Sequence, residues 1–189
     1  MTDIPALLTE IKGQLTNSFA HIDAWFDKEE AVREYQPRGG GWSVNQILEH
    51  IGLTNFFLLK LIRRGTQKAL LNTRNLDLNT ELAAYEFHRE KLTEIGIHRS
   101  FDWIRPEHME PRGEKSLSEV RQQLYEQLAE CLDCLEQLSH GKGVLYRTTM
   151  TVNGLGKIDV YEYLYFLAQH GQRHITQMQR NEQEFAASS

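Results

Sequence analysis

Four stretches of this chain repeat their apolar residues at the 3.6-residue period of an α-helix, so each must bury an apolar stripe against a partner. The first runs from about Ile4 to Glu34, with Leu8, Ile11, Leu15, Ile22 and Phe26 on one stripe. The second runs from about Ser43 to Arg64, with Ser43 as N-cap and Gly65 as stop. The third covers about Leu117 to Ser139. There Ser116 and Glu119 have capping-box spacing ahead of the stripe Val120, Leu124, Leu128, Cys131, Leu135 and Leu138. The fourth covers about Asp159 to Phe185. Four long amphipathic helices in 189 residues predict one domain, residues 1–189, that is all-α and built as a four-helix bundle.

The connections are uneven. Gln36–Trp42 (QPRGGGW) is a glycine-rich turn, and Gly141–Lys157 is a longer crossover expected to be irregular. Thr66–Lys115 is a mixed insert; its middle, Asn79–Glu94, predicts a short helix, and FDWIRPEHMEPRG, with two prolines, predicts a loop.

Composition narrows the function classes. A 40% hydrophobic and 25% charged chain is ordinary for a folded globular protein. A net charge of −5 and a pI of about 5.9 exclude a basic footprint for nucleic acid over the whole chain. The apolar run at Leu53–Ile62 is broken by Thr54, Asn55 and Lys60, far short of the roughly 18–20 residues of a membrane span. Asp3 and Glu10 sit where a signal peptide wants positive charge and then an unbroken apolar core. The expectation is a cytoplasmic protein with neither a nucleic-acid nor a membrane partner. Cys131 and Cys134 form a CxxC, but within a helix, with no strand ahead and no second pair. They read as small helix residues rather than as zinc ligands or a redox pair.

Helix geometry sorts the eight histidines. At 100° per residue, His50 shares its face with Ser43, Ile47, Thr54, Phe57, Leu58 and Leu61, while Asn45, Glu49, Lys60 and Arg63 lie opposite. His170 shares its face with Tyr163, Phe166, Leu167, His174, Gln177 and Met178, while Gln169, Gln172 and Gln179 point away. A lone inward histidine is ordinarily a satisfied core residue. Three on two core faces are different, because burying each imidazole without partners costs on the order of 1–3 kcal/mol. His170 and His174, one turn apart, can share an ion, and His50 from a facing helix completes a three-nitrogen set. His21, His88, His98, His108 and His140 fall beside the stripes or in loops, where solvent is their expected partner.

Two motifs carry a family resemblance. GWSVNQILEHI, a Trp-Ser pair leading into a helix with an inward histidine, and GLGKIDVYEYLYFLAQHGQRHITQMQR, a Gly-Lys lead-in followed by HxxRHxxQ, resemble signatures of the DinB/YfiT-like superfamily of damage-inducible bundle proteins. The resemblance extends over most of the chain. It implies a down-up-up-down four-helix bundle with a long crossover, a divalent metal (zinc or nickel) held by His50, His170 and His174, and a homodimer. It also implies thiol-dependent S-transferases or isomerases using a low-molecular-weight thiol as relatives.

Three neutral imidazoles leave a divalent ion with open positions, where it lowers the pKa of bound water to about 7 or accepts a thiolate. No glutamate stands in an HExxH arrangement, since Glu49 lies about 100° from His50 on the helix. Gln177, Tyr163 and Thr54 are the polar residues on the ligand faces and the candidates for catalytic roles. The expected function is a metal-dependent thiol transferase acting on a small-molecule substrate. The alternatives are a metal-dependent hydrolase, a metal-stabilised stress-response or binding module, and a bundle whose histidines are merely core.

Overall fold

The structure, a computed structural model, describes residues 2–103 and 106–188. Helix α1 (Ile4–Asp23) starts where the Asp3 carboxylate accepts the Ala6 N–H, with Pro5 in the first turn. It buries Leu7, Ile11, Leu15, Ser18 and Ile22. It ends well short of Glu34. The chain tightens into a 3-10 turn over Ala24–Asp27, extends at Lys28 and restarts as α2 (Glu30–Glu34). That turn buries Trp25 and Phe26 together, two adjacent rings that one apolar stripe does not both place inward.

Helix α3 (Val44–Asn72) begins with the expected cap: Ser43 and Gln46 each accept the other's backbone N–H. It does not stop at Gly65. A Cβ there would lie 2.9 Å from Val160 Cγ2, so the glycine permits close helix approach rather than termination. The insert holds two short helices, α4 (Leu78–Ala83) and α5 (Arg89–Ile95), in place of the single one expected. The break between them is fixed from outside, because the His88 N–H donates to Glu162 Oε1 (3.0 Å). In the loop that follows, Glu107–Met109 form a 3-10 turn; Ile104 and Arg105 lie outside the described residues.

Helix α6 (Leu117–Gln137) starts at the predicted Ser116–Glu119 capping box. The crossover after it departs from expectation. A 3-10 segment, Ser139–Leu145, leads into a hairpin of β1 (Arg147–Met150) and β2 (Gly156–Asp159), antiparallel, with Arg147 opposite Asp159 and Met150 opposite Gly156. Asn153 (φ 49°) and Gly154 (φ 61°) take the left-handed conformation that lets the chain reverse. Helix α7 (Val160–Ser188) is capped reciprocally: Asp159 Oδ1 accepts the Glu162 N–H (3.1 Å), and Glu162 Oε2 accepts the Asp159 N–H (2.9 Å).

The chain is therefore mostly helical, as its periodicity requires. α1 packs on α7 and α6, α3 packs on the same two, and α5 lies against α7. Two placements differ from the helical-wheel expectation. Leu61, expected inward, is 41% exposed, and Gln169, expected outward, is buried beside Gly96 at the end of α5. The insert covers a face of the fourth helix that would otherwise meet water.

Gly143 is pressed against the Tyr161 ring, whose hydroxyl donates to the Leu138 carbonyl. A Cβ at this position would lie 2.6–2.8 Å from three ring atoms of a fully buried side chain. Gly143→Ala is expected to lower unfolding free energy by about 1–3 kcal/mol, read as a drop in the urea midpoint at unchanged slope.

Candidate metal centre

His50 comes from the second turn of α3, and His170 and His174 from consecutive turns of α7, all three buried. One ring nitrogen from each lies within 4.8 Å of the others, and the Nε2 atoms of His170 and His174 are 3.1 Å apart. The cluster that helix geometry predicted is assembled. Among the described residues no cysteine or carboxylate joins it.

The neighbours of these rings fix their protons. His50 Nδ1 lies 2.7 Å from the Met109 carbonyl oxygen, and His174 Nδ1 lies 2.9 Å from Gln177 Oε1. Both oxygens only accept, so each Nδ1 carries the hydrogen and each Nε2 keeps a lone pair. That is the arrangement in which imidazole ligates a metal through Nε2 while its other nitrogen donates. His170 has no such acceptor: its Nδ1 is buried with no hydrogen-bond partner among the described residues. If that nitrogen carries the proton, two Nε2 lone pairs face each other at 3.1 Å, an arrangement that calls for a cation. If Nε2 carries it, a bare lone pair is left in the core, at about 1–3 kcal/mol. The donor set fits a divalent ion.

The two imidazoles of α7 are also held neutral. Burial, then the adjacent His174 and His50, push His170 well below its ordinary value of 6.5. Burial and His50 do the same to His174, against a smaller opposing effect from Gln177. Trp42, from the Trp-Ser pair ahead of α3, lies against the site, its ring centroid 4.6 Å from that of His50. Trp103, from the insert, is 5.6 Å from His170, and Phe166 stacks nearly parallel to His170 at 6.4 Å. These rings pack on His50 and His170 and give the cluster an aromatic wall.

The three polar candidates separate. Gln177 orients His174, as described. Thr54 Oγ1 is 3.5 Å from His50 Nε2 and 3.8 Å from the Met109 sulfur, so it lies at the cluster. Tyr163 is tied to the hairpin instead, its hydroxyl donating to the Thr149 carbonyl (3.4 Å); burial and the neighbouring Tyr146 push its pKa up to about 12. Cys131 and Cys134 are buried in α6, and burial pushes both thiols up, away from the thiolate a metal needs. Of the other histidines, His88 Nδ1 meets the buried Glu162 at 2.6 Å, and His108 packs edge-on to Phe57. Neither is left to solvent alone.

Glu49 is the residue that helix geometry missed. It does point away from the imidazoles, yet it is buried. Its carboxylate accepts the Arg112 N–H (3.1 Å) and the Gly113 N–H (2.9 and 3.2 Å). It thereby fastens the loop whose Met109 carbonyl sets the His50 tautomer. The sequence signal was only a glutamate beside a ligand histidine, because its partners lie more than sixty residues further on.

In comparison with known protein families, residues 14–178 match the family described as the DinB superfamily. No curated protein and no solved structure matches the chain.

Two outcomes are expected. Glu49→Ala frees the loop and should weaken metal binding about tenfold, whereas Glu49→Gln keeps one acceptor and most of the affinity; competition with a chromogenic chelator measures both. In the metal-free protein, the unfolded chain binds protons below 6.5 that folded His170 and His174 exclude. Their contribution to stability is therefore complete above that pH and lost as pH falls below it. Urea midpoints on either side of pH 6.5 should show a smaller acid loss in a His170→Gln/His174→Gln variant than in the parent.

Proposed function

The chain belongs to the DinB superfamily, and from that membership and its buried histidine cluster we propose a metal-dependent enzyme that joins a low-molecular-weight thiol to a small electrophile. A divalent ion, zinc or nickel, would be held by His50, His170 and His174, and when bound it supplies a Lewis acid that keeps a thiol in its nucleophilic, deprotonated form.

One observation carries the proposal. Three buried nitrogens converge with no fourth protein donor among the described residues, whereas a structural zinc site ordinarily closes with four. Three ligands leave room for an exchangeable one. The surroundings favour a thiol over water as that partner. Hydrolysis wants a base to steer the water, and the carboxylate next in sequence to a ligand, Glu49, is turned to the Arg112–Gly113 amides. Thr54 is placed to hydrogen-bond a group at the cluster, and Gln177 keeps His174 in its ligating tautomer. The aromatic wall of Trp42, Trp103 and Phe166 limits the access of bulk water.

The same reading takes the four long helices as a bundle of down-up-up-down direction and the working form as a cytoplasmic homodimer that needs neither nucleic acid nor membrane. Among the described residues, no helix is long and apolar enough to cross a membrane.

Cobalt substitution tests the proposal. The protein should take up one equivalent of cobalt, and His170→Ala/His174→Ala none. The visible absorption of the cobalt form should shift on titration with small thiols, with a charge-transfer band from sulfur. A cobalt spectrum indifferent to every thiol would defeat thiol chemistry at this site, and unchanged cobalt uptake by the double variant would defeat the ligand assignment.

A further inference from the structure

Beside the histidine cluster lies a cavity of about 450 Å³. Trp42 and Gln177 line it, and they are the same two residues that touch His50 and His174. One side chain therefore separates this space from the cluster. Its volume suits a small molecule.

Its charge runs against the rest of the protein. The chain as a whole carries −5, yet the charged residues lining this cavity are two arginines, Arg99 and Arg180, and one acid, Glu184. Glu184 already has partners, since its carboxylate accepts the Tyr35 hydroxyl (3.0 Å) and the Arg38 N–H (2.8 Å). The two guanidiniums make no ion pair among the described residues. His98, also in the wall, has its Nδ1 buried without a partner among the described residues, and burial together with Arg180, Arg173 and Arg99 holds its pKa down. It is a neutral imidazole in a positive field.

Backbone shape adds to this. Arg99 has φ 64°, a left-handed conformation that a long side chain rarely takes. It follows the end of α5 and sets that guanidinium in the cavity wall. Another part of the wall is Gly39–Gly41. Gly40 (φ 79°) and Gly41 (φ 128°) need glycine for their conformation, and among the described residues no atom beyond the chain neighbours lies within 4 Å of where a Cβ at Gly39 or Gly40 would stand. That stretch of wall is bare backbone, open to a ligand.

We propose that this cavity binds an oxyanion group of the small molecule that reacts at the neighbouring histidines, a carboxylate or a phosphate monoester held by Arg99 and Arg180. Planar guanidiniums match both groups with paired N–H donors, and the neutral His98 in the same wall adds no competing negative charge. The proposal rests on the preceding one for its link to chemistry, but the binding of the anion does not need the metal.

The test is calorimetric titration of the metal-loaded protein with succinate, with phenyl phosphate and with uncharged dimethyl succinate. At least one anion should bind saturably, more weakly as salt rises, while the ester does not bind; whichever anion binds tells carboxylate from phosphate. Arg99→Gln/Arg180→Gln should retain its metal content and lose about tenfold or more in anion affinity. Titration of wild-type protein stripped by a chelator should still show the anion bound, so failure of the metal assignment leaves this result standing. Saturable binding of neither anion, or equal affinity in the arginine double variant, overturns the proposal.

Discussion

The burial of the first half of α7 on every side is the constraint from which the rest follows. From Val160 to Gly171 every residue is buried, polar and charged ones included. A helix with no solvent face must be given partners all round. α1 and α3 supply two sides, and Ser18 of α1 donates to the Ala168 carbonyl at 3.0 Å. The insert supplies another through α5, and the hairpin covers the helix start through Thr149 and Asp159. His170 sits at the end of this enclosed stretch, which is why its imidazole is neutral and why an orphaned nitrogen there matters.

That enclosure also separates what the sequence tells from what it hides. The 3.6-residue period located all four long helices, and it brought His50, His170 and His174 to a common interior because each faces its helix's apolar side. Caps at Ser43 and Ser116 were legible because capping chemistry is local, resolved within four residues. What was not legible were the local roles that a distant partner decides. Gly65 reads as a stop until Val160 is seen against it. Gln169 reads as solvated until α5 covers it, and Glu49 reads as a surface acid until the Arg112–Gly113 amides meet it. The hairpin was missed for a different reason. Its two strands have four residues each, too short for a clear alternation, and the signal that remained was the Asn-Gly pair at the turn.

The residues around the cluster divide the work between rigid and adaptable parts. Two imidazoles ride on one helix, so their separation is fixed by helix geometry. The third comes from α3, and its ring is oriented by a loop carbonyl rather than by a helix neighbour. Within helices the imidazole positions follow from the backbone; the orientation of His50 depends on tertiary contacts that α3 alone does not supply.

The Met109 carbonyl joins residues 59 positions apart in the chain. The carbonyl that fixes the His50 tautomer is thus delivered by an irregular segment, whose closure costs chain entropy. A divalent ion held by the three imidazoles would favour the docked loop over the undocked one by mass action, without contacting most of it, so that ion and loop would stabilise each other reciprocally.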